Sequence, residues 1–320
     1  MNWIVAALIL AALGAGAWYL AITAQSVQTL NRADALFTRA NAELVAGPVA
    51  FGEHSQQRLF VHRAAGIPAH AKLPVMVFIH GGSWRSGDPE PYAYVARNFA
   101  PLGYVLVLAG YRLGDDGKFP GMLQDGAAAL RWVNDNIADY GGDPSRIAVT
   151  GHSAGAYNAV MLALDPQWLA AEGLGKDTID GVVGIAGPYD FLPLDSDSTK
   201  AAFSHAHPLE STQPILFARA DAPPMLLMTG DEDTTVRPRN VPALASALVQ
   251  AGMPDSRIRT STIPGMGHIP IVMALARPFE QNGRVKREIA EFLDAVIGAG
   301  QATPNEKSGL PSAVIQPENE

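Results

Sequence analysis

From residue 47 to residue 298 the chain alternates between apolar runs of strand length and amphipathic stretches of helix length. Parallel strands are joined by crossovers that usually contain a helix, so this alternation predicts an α/β fold: a mostly parallel central sheet with helices on both faces. The clearest predicted strands are 73–79, 104–109, 146–150, 181–186 and 225–229. The predicted helices are 91–100, 122–138, 154–164, 241–251 and 284–297. Residues 57–63 have the pattern of an antiparallel edge strand.

The composition excludes several other classes of protein. The chain has 320 residues, of which 48% are hydrophobic and 17% charged, so it can bury a large core and does not resemble a disordered chain. Its formal net charge is -8 and no basic block is present, which argues against a nucleic-acid partner. It contains no cysteine, which excludes disulfides, thiolate metal sites and a cysteine nucleophile.

The N-terminal segment differs from the rest of the chain. No charged side chain occurs between Trp3 and Ile22, and a helix of that length spans roughly 30 Å, the thickness of a bilayer core. A membrane anchor, a cleaved signal peptide and a buried helix all fit, and the lack of a basic residue ahead of the apolar run favours the anchor. We therefore expect 1–24 to be an anchor or signal segment of a membrane-anchored protein, or of a secreted one if it is cleaved. The flanking charges leave the side of the membrane open.

The remaining boundaries follow from turn residues and composition. Residues 25–46 are predicted to be a helical or extended stalk that ends at Gly47-Pro48. A catalytic domain is then expected over 47–298. The tail, 299–320, has little to bury and is expected to be disordered.

The predicted strand 146–150 runs directly into Gly151-His152-Ser153-Ala154-Gly155 and then into a helix. A G-x-S-x-G motif between a strand and a helix forms a sharp turn that exposes the serine hydroxyl at the carboxyl edge of the sheet. The amide of Ala154, at the start of the helix, can face a developing oxyanion. Ser153 is therefore the candidate nucleophile.

A serine nucleophile needs a base, and the base needs a third group that fixes its tautomer. Asp231 and Asp233 follow the strand 225–229, and His268 lies in a later glycine-rich loop. The order serine, aspartate, histidine is the one used with a G-x-S-x-G turn. One aspartate is expected to orient His268 while the other serves the turn or the next helix, and the alternative for His268 is a surface loop histidine.

A third motif, His80-Gly81-Gly82-Ser83-Trp84, follows the strand 73–79. Two glycines at the carboxyl end of a central strand allow backbone N–H groups to turn toward a substrate, although they also fit a simple tight turn.

Taken in order, these motifs resemble the α/β-hydrolase superfamily, in the carboxylesterase and lipase branch related to hormone-sensitive lipase and kynurenine formamidase. The resemblance covers 49–297 and includes Tyr111-Arg112-Leu113, the run 141–147 and the G-x-x-D-x-x-V pattern of Gly230, Asp233 and Val236. It implies that 47–298 is an α/β-hydrolase catalytic domain, and a serine hydrolase of this kind needs no cofactor.

The resemblance also implies a role for each residue that matches a motif. Ser153 is the nucleophile, His268 the general base and Asp233 the acid, and the oxyanion amides belong to Gly82, Ser83 and Ala154. Ser83-Trp84 departs from the third glycine of lipase-like members and is closer to formamidase-like ones. Gly110 also replaces an acidic residue that many esterases carry before the Tyr-Arg-Leu run.

The substrate pocket is expected to lie partly under residues 188–224, a segment short enough for a small lid or pocket wall. Trp84 narrows the acyl side if it points inward, and otherwise it packs in the core. His205 and His207 are interpreted as loop residues, and no metal site is predicted. The predicted pocket residues are Trp84, Tyr157, Tyr189, Phe203, Met266 and Ile269.

The leading functional hypothesis is a serine hydrolase that acts on carboxylic esters with small to medium acyl groups through an acyl-enzyme. An arylformamidase-like amide hydrolase and a non-catalytic, membrane-tethered binding protein are the alternatives. The expected partners are a small-molecule ester and a membrane, with no obligate protein partner.

Overall fold

The computed structural model describes Trp3 and residues 26–38 and 42–298. The strands are β1 Ala42–Ala50, β2 Arg58–Ala64, β3 Leu73–Ile79, β4 Val105–Ala109, β5 Gly142–His152, β6 Gly181–Ile185, β7 Met225–Gly230 and β8 Ile258–Ile263. The helices are α1 Ser26–Phe37, α2 Ala93–Phe99, α3 Gly121–Asn136, α4 Ala154–Leu164, α5 Gln167–Ala171, α6 Asp197–Phe203, α7 Asn240–Gln250, α8 His268–Met273 and α9 Arg284–Ile297. Short 3-10 turns connect several of them.

All the strands join one sheet in the order β1-β2-β4-β3-β5-β6-β7-β8. The pairs β1/β2 and β2/β4 are antiparallel, and every pair from β4 to β8 is parallel. The mostly parallel sheet predicted from the alternation is therefore confirmed. Because the carboxyl ends of the parallel strands share one edge, residues that follow β3, β5, β7 and β8 meet there.

Both faces of the sheet are covered. Every residue of β3 is buried, as a strand between two helical layers requires. Its side chains alternate: Val75, Val77 and Ile79 pack with α3, α4 and α7, whereas Met76 and Phe78 pack with α2, α8 and α9. The period of two along the strand divides the apolar residues between two core layers.

The prediction of a stalk over 25–46 is wrong. Within α1, Leu30 and Ala33 are buried in the core layer of α2 and α9. The fully buried carboxylate of Asp34 accepts hydrogen bonds from Arg97 Nε at 2.7 Å and from the amide of Arg277 at 2.8 Å. The folded domain therefore includes α1, because its apolar stripe and one acidic group have partners far along the chain.

The boundary at Gly47-Pro48 is also wrong, because β1 runs through it and pairs with β2. Consequently 57–63, predicted as an edge strand, is antiparallel but lies one position inside the edge. The actual edge strand on the other side, β8, was not predicted. Its residues Arg259, Thr260 and Thr262 are exposed, so the strand carries no apolar run that would mark it in the sequence.

No helix in the described part of the chain is long and apolar enough to cross a membrane. The segment 1–24, apart from Trp3, lies outside the described residues, as does the tail 299–320. The anchor or signal segment and the disordered tail stay predictions.

Candidate active site

Ser153 occupies the turn between the end of β5 and the start of α4. Its backbone has φ 55 and ψ -120, a conformation that non-glycine residues adopt only where the surrounding structure enforces it. The Ser153 amide donates to the Ile185 carbonyl at 2.8 Å, which ties the turn to β6. Gly155 is required here, since a Cβ atom would overlap the carbonyl oxygens of Ile79, the last residue of β3, and of His80, which follows it. The turn therefore holds the Ser153 side chain at the carboxyl edge of the sheet.

His268 begins α8 and reaches back to this turn. Its Nε2 atom lies 2.8 Å from Ser153 Oγ, and its Nδ1 atom lies 2.7 Å from Asp233 Oδ2. With Nδ1–H donating to the carboxylate, the Nε2 lone pair faces the serine hydroxyl. Such a path of hydrogen bonds can accept the hydroxyl proton and stabilise the imidazolium that results.

Asp233 is held as a carboxylate. Its other oxygen, Oδ1, accepts the amides of Thr235 at 2.9 Å and Val236 at 2.8 Å. Burial by itself raises the pKa of the Asp233 carboxyl, but the hydrogen bond and charge of His268, together with these two amides, outweigh burial and hold the pKa below its usual value.

Asp231 has a different position, although it belongs to the same acidic cluster. It is exposed, and its Oδ1 accepts the amide of Gly265 at 2.7 Å. Asp231 thus fastens the loop that leads to His268 without contacting the imidazole. The structure separates the two aspartates that the sequence left as alternatives.

The loop after β3 and the start of α4 provide the three predicted oxyanion amides, those of Gly82, Ser83 and Ala154. Gly82, Ser83 and Trp84 have φ values of 126, 55 and 56, so the loop after β3 curls with successive residues in the positive-φ region. Gly82 is required because a Cβ atom there would overlap the carbonyl oxygen of Ser86. Within the described residues, the amides of Gly82, Ser83 and Ala154 donate to no protein acceptor. Free amides beside the start of α4 can stabilise an oxyanion.

The side chain of His80, at the start of this loop, is packed in the core. Its buried ring stacks on Tyr111 with centroids 4.6 Å apart, and the Tyr111 hydroxyl donates to the His80 carbonyl at 3.1 Å. Burial lowers the pKa of His80 to about 4, so its imidazole stays neutral at pH 7. A neutral, packed ring fixes the loop geometry without adding a positive charge.

His152, the residue before the serine, was not predicted to take part in the site. Its Nε2 lies 3.0 Å from the carbonyl oxygen of His268, and the two rings are 4.9 Å apart. Burial, and then the charge of His268, lower the pKa of His152 to about 3. The neutral ring can donate Nε2–H to that carbonyl, which joins the nucleophile turn to the backbone of the base.

Two cavities meet at Ser153 and Ser83, which line both of them. The smaller, of about 480 Å³, lies against Trp84 and the segment after β6, including Phe191. The larger, of about 700 Å³, is bounded by α1, α8 and the loop after Gly81, and His268 lines only this one. The segment 188–224 forms a wall of the smaller cavity through a loop and α6.

The predicted pocket residues divide into two groups. Trp84 lines the smaller cavity and Ile269 the larger. Placing the other four in the pocket was wrong, because they are buried behind its walls: Tyr157, Tyr189, Phe203 and Met266. Trp84 separates two of these residues from the smaller cavity. Its ring packs on Tyr157 and Phe203, with centroids 5.3 and 4.8 Å away, and its Nε1 donates to Asn158. Both interpretations of Trp84, pocket wall and core residue, therefore apply.

The histidines of the segment 188–224 form no cluster with the site. His205 Nε2 lies 2.6 Å from the carbonyl oxygen of Phe119. Across residues 26–38 and 42–298, no group of three or more histidine, aspartate or glutamate side chains is arranged to hold a metal ion.

Comparison with known proteins connects this geometry to a family. The family model of BD-FAE matches residues 67–248. Among curated proteins of Mycobacterium tuberculosis, esterase LipC is 30% identical over 268 residues and esterase LipQ 26% identical over 271 residues, each match covering 78% of the chain. The matches cover 64% of LipC and 62% of LipQ, so the chain spans less than two thirds of their length.

Solved structures share the fold. Esterase B from Lactobacillus rhamnosis superposes with a TM-score of 0.71 at 22% identity, covering 83% of this chain and 90% of that one. A truncated carbohydrate esterase from gut microbiota gives 0.68 at 20% identity, covering 81% and 96%. At these identities the similarity concerns the fold alone.

Proposed function

Because the chain belongs to the BD-FAE family of α/β-hydrolases, we propose that it is a serine hydrolase that cleaves carboxylic esters. The observation that carries this proposal is the hydrogen-bonded path from Asp233 through His268 to Ser153, beside three amides that have no protein acceptor within the described residues. The esterase names of LipC and LipQ support the same reaction class.

In the first step, Ser153 Oγ attacks the ester carbonyl while His268 Nε2 accepts the hydroxyl proton. The carbonyl oxygen gains negative charge and moves toward the amides of Gly82, Ser83 and Ala154, which stabilise it. Asp233 stays ionised, holds the ring in one tautomer and stabilises the imidazolium.

In the second step, the tetrahedral intermediate collapses and the bond to the alcohol oxygen breaks. His268 gives its proton to that oxygen, so a neutral alcohol leaves and an acyl group remains on Ser153. Water then attacks the acyl carbon with His268 again as base, and Ser153 Oγ recovers the proton as the acid is released. Ser153, His268 and the attacking water account for every proton in this cycle.

The smaller cavity, which has a volume of about 480 Å³ and is lined in part by Trp84 and Phe191, supports a preference for small to medium acyl groups. Hydrolysis of p-nitrophenyl esters of increasing acyl length by the full chain tests the reaction class. We expect turnover that falls at long chains and a formanilide that is cleaved far more slowly.

The alternatives give different results in the same assay. Formanilide hydrolysis as fast as ester hydrolysis would indicate an amide hydrolase instead. A folded protein that cleaves no ester would indicate the non-catalytic binding protein, for which the complete hydrogen-bonded path has no use.

A further inference from the structure

The two cavities differ in whether His268, the proposed base, lines them. Ser153 and Ser83 line both, whereas His268 lines only the larger cavity. The group that gives a proton to the leaving alcohol must lie within hydrogen-bond reach of its oxygen. On the premise of the proposed ester hydrolysis, the alcohol half of the substrate therefore extends into the larger cavity and the acyl half into the smaller.

We propose that α1 forms the specificity wall for the alcohol, and that the enzyme acts on esters of bulky, mainly apolar and non-anionic alcohols with small to medium acyl groups. This inference assigns a substrate-binding role to the segment that the sequence indicated as a stalk.

The volume and the lining residues of the larger cavity indicate a bulky, mainly apolar alcohol. The helix α1 contributes Val27, Gln28, Leu30 and Asn31 to one side. The opposite side is α8, whose Ile269, Val272 and Met273 follow His268 directly. An alcohol held between the two helices lies beside the imidazole, and about 700 Å³ is sufficient for more than a small aliphatic alcohol.

Charge narrows the class of alcohol further. The acidic residues Asp88 and Glu90 line the larger cavity, and no lysine or arginine is among its described lining residues. Asp88 is already paired with Arg58 at 2.6 Å, outside the cavity. An anionic alcohol would therefore meet the Glu90 carboxylate with no lysine or arginine among the described lining residues, which disfavours phosphorylated or acidic leaving groups.

Polar contacts hold α1 against the rest of the domain. Beyond the bonds from Arg97 and Arg277, Asp34 accepts the side-chain amide of Asn98 at 3.0 Å. These contacts join α1 to α2 and to the chain after α8, which are its neighbours around the cavity. A fixed wall selects alcohols by size, since it cannot withdraw to admit a larger one.

The smaller cavity has different walls. Trp84, Phe191 and Leu192 lie on one side of it, and Asp195 and Arg237 are exposed at its rim. It shares no residue of α1. Changes in α1 should therefore alter the selection of the alcohol and leave the selection of the acyl group intact.

The test uses two substrate series on the full chain: acetates of alcohols from ethanol to a naphthyl alcohol, and p-nitrophenyl esters from acetate to octanoate. Val27→Trp fills the larger cavity, so we expect the kcat/KM ratio of naphthyl to ethyl acetate to fall by about tenfold or more. The ratio of octanoate to acetate should stay unchanged. Gln28→Trp, at an exposed position of the same wall, is the second variant if Val27→Trp does not fold.

Two matched controls accompany these variants. Leu36→Trp places the same side chain on an exposed face of α1 that lines neither cavity, and it should move neither ratio. Leu192→Trp fills the smaller cavity and should lower the octanoate ratio only.

A reversed result, with Val27→Trp changing the acyl ratio and Leu192→Trp the alcohol ratio, overturns the assignment of the cavities. Unchanged ratios in both α1 variants overturn the role of α1. A wild-type chain that cleaves no ester in either series refutes the proposed function itself, which is a separate outcome.

Discussion

His268 has both ring nitrogens and its backbone carbonyl engaged at once. Nδ1 faces Asp233, Nε2 faces Ser153, and the carbonyl oxygen lies 3.0 Å from His152. The contact with the Asp233 carboxylate fixes the tautomer of the imidazole. The contact with His152 holds the backbone that carries the His268 side chain. A base held in this way is oriented before the substrate arrives.

The two aspartates of the acidic cluster should differ greatly in their effect on turnover. Asp233→Asn removes the carboxylate that selects the Nδ1–H tautomer, so we expect kcat to fall by roughly 10⁴. Asp231→Asn leaves the imidazole contacts intact and should change kcat little. Steady-state kinetics on p-nitrophenyl acetate measure both, and equal losses in the two variants would contradict the geometry.

His152 should act as a positioning residue. His152→Phe keeps a flat ring but removes the donor to the His268 carbonyl, so we expect a fall in kcat of about 10²-fold with KM nearly unchanged. His152→Gln retains an N–H donor and should recover part of the loss. If Phe and Gln at this position give the same kcat, the contact with the His268 carbonyl has no role in positioning.

The sequence placed Ser153 and Asp233 because each follows a strand whose apolar run is plain, and it placed His268 by its glycine-rich loop later in the chain. It did not reveal the contact of His152 with His268, whose positions are 116 residues apart along the chain. Nothing in the local pattern around either residue marks that pairing. Motif order indicates which residue types meet at the sheet edge, but not how their backbones are joined.

The helix α1 shows how a short element is held by polar groups from distant segments. Leu30 and Ala33 are the buried residues of its apolar stripe, and polar groups add to the attachment: the buried Asp34, and Asn31, whose oxygens accept from Arg97 Nη2. Arg97, Asn98 and the Arg277 amide all converge on one carboxylate. A buried carboxylate of this kind is stable only while its partners remain.

Removing this carboxylate should destabilise the domain. Asp34→Ala removes the acceptor of Arg97 Nε, of the Asn98 side-chain amide and of the Arg277 amide, so we expect the free energy of unfolding to fall by about 3 kcal/mol. Urea unfolding followed by circular dichroism measures the change. Asp135→Ala breaks the exposed pair with Arg131 and is the matched control, with little effect expected. A similar loss in both variants would contradict the buried attachment.

Elements with a complete apolar pattern were predicted closely. The structure gives the predicted bounds for β3, α4 and α9, whose strand run or helical stripe is continuous. The same reasoning missed β8, whose outer residues are polar, and treated α1 as a stalk because its few apolar residues did not reveal their partners. Sequence periodicity detects burial against a large core better than attachment by a few polar contacts.

Across the whole domain, three buried histidines are kept neutral. Burial lowers the pKa of His62 to about 4, with a further contribution from Arg97. His80 and His152 are lowered to about 4 and about 3, mainly by burial. These residues lie in β2, after β3 and at the end of β5, so they couple the protonation state to the folding of the entire sheet.

Acid should therefore destabilise the fold. Between pH 6.5 and about 4 the unfolded chain binds protons on these histidines and the folded chain does not. As the pH decreases through this range, the free energy of unfolding falls by up to about 1.4 kcal/mol per pH unit for each histidine. Above pH 6.5 these histidines do not change the free energy of unfolding. Urea unfolding at pH 7, 6 and 5 measures the slope.

His62→Gln should reduce this slope by one histidine's share, since it removes a buried group that must stay neutral on folding. His70→Gln, at an exposed position, is the control and should leave the slope unchanged. A His62→Gln variant with the wild-type slope would show that His62 is not the source of the acid sensitivity.

Ser153 is expected to form a covalent bond with the acyl group of the substrate or with a reactive analogue of it. Intact-mass spectrometry of the full chain after treatment with a fluorophosphonate, followed by peptide mapping, tests it directly. We expect one adduct per wild-type chain, located on Ser153, and no adduct on folded Ser153→Ala. A folded wild-type chain without an adduct, or the same adduct on both proteins, would contradict it.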